Sequence, residues 1–171
     1  MRTLEVGDII PETFLKDIDG NIFETTNFRG KKQLVIIFYP IDGTNGCKNR
    51  DCKYHDVTEY FNNENYLILG ISGLSPEDIK NSDAMKRQNF PVISDQDKRL
   101  RKLFGVCVLE VGKYTPVFQS AFGLKSNRIT FVTDKEGKII YKTDVQNKLH
   151  CQSDEALQMR LIMKKNFNIS S

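Results

Sequence analysis

No stretch of this sequence is apolar for long enough to cross a bilayer: the longest uninterrupted run lies at residues 34–38, against the ~20 residues a spanning helix needs. A membrane is therefore not an expected partner. An excess of one charge sign is also missing. The 25 basic and 22 acidic side chains leave a formal net charge of +3 and are interspersed along most of the chain. Binding to a nucleic-acid backbone normally shows as a clustered basic face, so nucleic acid is not expected either. The opening residues lack the apolar segment of a secretory signal, and the early acids Glu5 and Asp8 argue against a transit peptide. The expected compartment is the cytoplasm, with a processed organellar form left open. Cysteine is scarce: Cys47, Cys52, Cys107 and Cys151 are too few and too irregularly spaced for a disulfide framework. In a reducing compartment such thiols are buried, metal-bound or reactive. Repeats, low-complexity segments and linkers are absent too. The 171 residues, 39% apolar, suit one domain with a single core over about residues 5–164 and a polar tail.

What is present reads as an alternation of strands and helices. Residues 14–18 and 21–25 flank Asp19-Gly20 and predict a short hairpin. Residues 33–39 form a continuous apolar, β-branched run, the pattern of a central strand covered on both faces, and residues 66–72 repeat it. Between them, residues 47–62 carry apolar side chains at helical steps, so the three segments predict a βαβ unit with a parallel sheet. A second helix starts at Ser75, with Pro76 at its first position and Glu77 and Asp78 in its first turn, and ends before Pro91. A third strand at residues 90–94, a short basic helix at 97–104 stopped by Gly105, a hairpin of 128–134 with 138–142, and a last amphipathic helix from near Ser153 follow. Residues 105–127 give no firm element; a segment of that length in a small domain suggests a functional loop or a missed element.

The chemistry concentrates just after the first buried strand, in Pro40-Ile-Asp-Gly-Thr-Asn-Gly-Cys-Lys-Asn-Arg-Asp-Cys52. Loops at the carboxyl ends of parallel strands are where α/β proteins place their ligands. Cys47 would sit in the first turn of the following helix, where unpaired N–H groups and the positive dipole end stabilise a thiolate and lower the thiol pKa. Lys48 and Arg50 add positive charge, and Thr44 can bring its hydroxyl beside the sulfur. A lower pKa raises the thiolate fraction but weakens each thiolate as a nucleophile. Rapid chemistry therefore also needs hydrogen-bond donors aimed at the reacting atoms. Residues five apart in an intact helix have Cα atoms about 8.6 Å apart, beyond the roughly 4.4–6.8 Å of a disulfide. If Cys47 and Cys52 bond, the first turns of that helix must unwind. The residues alone leave a redox pair, a metal site and two inert thiols open. In the metal reading, His55, His150 and Cys151 would join the two cysteines around zinc.

The run Phe38-Tyr-Pro-Ile-Asp-Gly-Thr-Asn-Gly-Cys47 resembles the Pro-x-x-x-Thr/Ser-x-x-Cys signature of peroxiredoxins in the AhpC/TSA family. Its continuation, Cys47-x-x-x-x-Cys52-x-Tyr-His-Asp56, is similar to the peroxiredoxin Q or bacterioferritin comigratory protein subfamily. The resemblance runs through Leu69-Gly-Ile-Ser, Phe104-Gly-Val and Asn127-Arg-Ile-Thr-Phe-Val-Thr-Asp134, over most of the chain. It implies a thioredoxin-like α/β fold with a central mixed sheet flanked by helices, and reduction of hydrogen peroxide or organic hydroperoxides. Cys47 is then the peroxidatic thiol and Cys52 the resolving thiol of an intramolecular disulfide. Thr44 and Arg128 are donors to the peroxide oxygens, and Pro40 shields the sulfur. The implied partner is thioredoxin or a similar dithiol protein, the implied state a monomer, and no metal or organic cofactor is implied. Asn45, Lys48 and Arg50 depart from the pattern, Arg50 standing where the family commonly has Glu or Gln to hold the active-site arginine. A zinc-binding Cys/His module and a nonenzymatic redox sensor or chaperone are the alternatives.

Overall fold

The computed structural model describes residues 2–39, 65–82, 90–106 and 128–145, with the backbone alone at Arg128 and residues 143–145. In chain order its elements are β1 (Phe14–Lys16), β2 (Ile22–Glu24), a 3-10 turn (Thr25–Phe28), β3 (Gln33–Phe38) and β4 (Tyr66–Ser72). There follow α1 (Pro76–Asn81), β5 (Val92–Ser94), α2 (Arg99–Phe104), β6 (Arg128–Thr133) and β7 (Ile139–Val145). The expected helices at 47–62 and from Ser153 lie outside the described residues, as do residues 107–127.

The two long apolar runs become neighbours in a mixed five-stranded sheet of order β5-β4-β3-β6-β7. β5, β4 and β3 are mutually parallel, whereas β6 runs antiparallel to β3 and β7 antiparallel to β6. Every residue of β3 is buried, because successive side chains feed opposite faces of the sheet. Leu34, Ile36 and Phe38 pack with Leu69, Ile71, Phe104 and Phe131 on one face. Val35, Ile37 and Tyr39 pack with Tyr66, Ile68, Ile79 and Val132 on the other. Each such fully buried aliphatic or aromatic side chain contributes about 1.5–3 kcal/mol relative to exposure, which makes β3 the best anchored element for whatever follows it.

The turn chemistry operates as expected, with shorter elements. In the β1–β2 hairpin the Asp17 carboxylate accepts from the N–H groups of Asp19 and Asn21 and from the Asn21 amide. The strands stop at Lys16 and resume at Ile22, short of the expected 14–18 and 21–25, because Asp17 and Ile18 turn outward to the edge of β5. There Asp17 bridges to Ile93, and the Ile18 N–H donates to the Val92 carbonyl. In α1 the Ser75 hydroxyl accepts from the Asp78 N–H at 3.1 Å, a cap worth about 1 kcal/mol. α2 begins two residues later than the sequence suggests, since Lys98 is left-handed at φ 62° and the helix is capped from Asp95. It ends at Gly105, also left-handed at φ 64°, where a Cβ would collide with the Arg2 carbonyl oxygen and lie 2.6 Å from Thr3 Cα.

Candidate active site

The parallel strands β3, β4 and β5 end side by side, at Phe38, Ser72 and Ser94. Beyond β3 the chain continues through Tyr39, whose N–H donates to the Ile71 carbonyl at 2.8 Å and so extends the parallel pairing by one residue. The Tyr39 carbonyl belongs to the peptide bond that leads into Pro40. Pro40, Thr44, Cys47 and Cys52 themselves lie outside the described residues, as do Cys107 and Cys151 and the His55 and His150 of the zinc alternative. The remaining predicted residue, Arg128, is the first residue of β6 and pairs with Val145 of β7. Ile129 stands opposite Phe38 in the last pair between β3 and β6, so Arg128 and Tyr39 are the next residue of each strand at the same end of the sheet. The structure thus sets the backbone of the candidate arginine beside the exit of β3, immediately before the cysteine-bearing segment.

A second arginine, not singled out from the sequence, lies on the opposite flank of the same strand end. Arg101, the third residue of α2, is 1% exposed, and Asp95, just after β5, is equally buried. Arg101 Nη1 donates to Asp95 Oδ2 at 3.0 Å, and Arg101 Nη2 donates to the Tyr39 carbonyl at 2.6 Å. The guanidinium carbon also lies 5.8 Å from the centroid of the Phe38 ring. Asp95 is held from several sides. Its carboxylate accepts from the N–H groups of Leu100 at 2.7 Å and Arg101 at 3.0 Å, and its own N–H donates to Ser72. Those acceptances satisfy two of the orphan donors at the start of α2 and set negative charge at its positive dipole end. Burial lowers the Arg101 pKa from its ordinary value, and the Asp95 charge opposes that shift. A guanidinium stays protonated at such a site, so the pair is ionic. The signal in the sequence was faint: Arg101 shares a helix face with Phe104, three positions on, which is an apolar position for an interior-facing helix.

A cleft of ≈ 1130 Å³ opens between the β1–β2 hairpin and the β5–α2 connection, lined among the described residues by Phe14, Lys16, Ile22, Asp95, Gln96 and Arg99. The end of β3, with the backbone of Arg128 on one side and the Arg101 guanidinium on the other, is the candidate for the chemistry. Among the described residues no helix is long and apolar enough to cross a membrane.

Comparison with known proteins bears on the same segment. Residues 6–142 match the model of the AhpC/TSA family. The chain is 33% identical over 155 residues to a chloroplastic peroxiredoxin Q from Populus jackii, covering 90% of this chain and 66% of that one. It thus spans just under two thirds of the length of that chloroplast relative. Peroxiredoxin Bcp from Escherichia coli K12 is 33% identical over 144 residues, covering 84% of this chain and 88% of the relative. Among solved structures, Xanthomonas campestris peroxiredoxin Q superposes with a TM-score of 0.66 at 25% identity, covering 90% of each chain. The expected thioredoxin-like architecture with a central mixed sheet is the one the structure has.

Proposed function

Because the chain belongs to the AhpC/TSA family, we propose that it is a thiol-dependent peroxidase acting on hydrogen peroxide and organic hydroperoxides. The observation that carries this reading is the register of β3 against β6, whose last pair, Phe38 with Ile129, leaves the backbone of Arg128 at the sheet end where the chain passes through Tyr39 into the Pro40-x-x-x-Thr44-x-x-Cys47 signature. Spacing in the sequence alone cannot bring the backbone of Arg128 to the end of β3; the sheet supplies that.

In the proposed cycle the Cys47 thiolate attacks one oxygen of the peroxide. The O–O bond breaks, its electron pair leaves with the second oxygen as an alkoxide or hydroxide that takes up a proton, and Cys47 becomes a sulfenic acid. Arg128 and Thr44 donate hydrogen bonds to the two oxygens as charge develops, and Pro40 limits access of water to the sulfur. The Cys52 thiol then displaces the sulfenic hydroxyl as water, forming a Cys47–Cys52 disulfide. A dithiol protein such as thioredoxin returns both thiols by exchange and is itself oxidised. These steps balance without a metal or organic cofactor, and both thiols lie in one chain, so a cytoplasmic monomer suffices. The name that the relatives share favours this reading over a zinc module or a nonenzymatic redox sensor or chaperone. The test is peroxide consumption coupled to thioredoxin: turnover in the wild type and none in Cys47→Ser is expected, and unchanged turnover in that variant would sink the assignment.

A further inference from the structure

We propose that Arg101 is a positioning residue for the Cys47 reaction, acting through the Tyr39–Pro40 peptide; this rests on the peroxidase reading above. The structural case starts from what Arg101 holds. Its Nη2 donates to the carbonyl oxygen of Tyr39 at 2.6 Å, and that oxygen belongs to the amide whose nitrogen is Pro40. An amide is planar, so a bond to its oxygen restrains the peptide by which the chain leaves Tyr39. The Tyr39 N–H is fixed as well, by the Ile71 carbonyl at 2.8 Å. Both backbone polar groups of Tyr39 are therefore tied down, one by the sheet and one by a side chain.

That side chain is itself firmly placed. Arg101 is anchored at Nη1 by Asp95, and Asp95 in turn by the start of α2 and by Ser72 at the end of β4. The guanidinium thus links the carboxyl ends of three parallel strands, β5 through Asp95, β4 through the Asp95 N–H, and β3 through Tyr39. Its fork geometry suits this, since two nitrogens of one rigid plane reach two acceptors, which the single nitrogen of a lysine cannot do in the same way. A buried ion pair is not an economical way to stabilise a core, because desolvation offsets much of the attraction. Its retention here fits a geometric task. Peroxide cleavage needs donors placed at both oxygens, and a small displacement of such donors relative to the sulfur slows reaction far more than it alters the thiolate itself.

The test compares two reactions of Cys47 in the full chain. Rapid-quench mass spectrometry would follow loss of the Cys47 thiol to hydrogen peroxide, and separately to iodoacetamide, which needs the thiolate but no oxygen-directed donors. Two variants are used. Arg101→Lys keeps the charge opposite Asp95, and the double variant Asp95→Asn/Arg101→Met removes both buried charges while leaving an amide oxygen for one of the two α2 N–H groups that Asp95 holds. In folded variants the peroxide rate is expected to fall at least tenfold, with alkylation changed less than threefold. Wild-type peroxide rates in both variants, or a loss that alkylation matches, would overturn the inference. A wild type that does not consume peroxide at all would instead overturn the peroxidase reading, so the two failures are distinguishable.

Discussion

Ile129 stands opposite Phe38: this is the last pair between β3 and β6, so Arg128 and Tyr39 are the next residue of each strand at the same end of the sheet. If the Arg128 guanidinium serves the peroxide oxygens, its loss removes a donor that matters mainly in the transition state. Arg128→Ala is expected to slow peroxide reduction by about 10²–10³, the usual effect of deleting one such donor, with iodoacetamide alkylation of Cys47 little changed. Stopped-flow or quenched oxidation kinetics would check it.

Cys52 is assigned a role after the peroxide step. Cys52→Ser is expected to leave the first oxidation of Cys47 intact and to abolish thioredoxin-coupled turnover. A sulfenic acid would accumulate, detectable by dimedone labelling, and excess peroxide would carry it to the sulfinic acid. A disulfide map of peroxide-treated wild type checks the same claim, with Cys47–Cys52 as the expected pair; a bond to Cys107 or Cys151 would reassign the resolving role.

How much of this was readable in advance depended on the range of the physics involved. The runs at 33–39 and 66–72 identified themselves because a strand buried on both faces needs no alternation, and Ser75-Pro76 announced a helix start through local hydrogen bonding. The signature around Cys47 was legible by resemblance. Arg101 was not, because its partners lie 6 and 62 residues away and meet it only once the strands are aligned. Read locally, it is one more cation on a short basic helix. The nearness of Arg128 to the end of β3 likewise follows from an antiparallel register that no local pattern encodes.

Asp95 carries the structural side of the same network. Asp95→Ala would strand the Arg101 charge in the interior and orphan two N–H groups of α2, and is expected to cost about 3–5 kcal/mol in urea unfolding. Asp95→Asn/Arg101→Met should recover a large part of that loss, because no uncompensated charge remains. A double variant as unstable as the single one would refute the charge-based account.

At low pH a different carboxylate contributes. Asp8 is held below its ordinary value of 3.8, first by the Glu5 N–H and then by Arg2. A depressed carboxylate gives stability that is present above its unfolded value and is lost as pH falls through the folded one. Asp8→Asn should therefore unfold more easily than wild type near neutrality, with the two urea midpoints converging in acid below the ordinary value. Parallel curves throughout would argue against any role of the Asp8 charge.

The first eighteen residues reach both margins of the sheet. Ile18 and Asp17 lie along β5, while Gly7 and Asp8 exchange hydrogen bonds with Ile139 at the start of β7. Exposed strand margins recruit strands from other molecules, and capping them is how soluble sheets resist fibrillar assembly. One continuous segment hemming two opposite edges makes that resistance vulnerable to a single proteolytic cut. Cleavage near Gly20 would release both hems together, and self-association, not unfolding of β3, would be its first consequence.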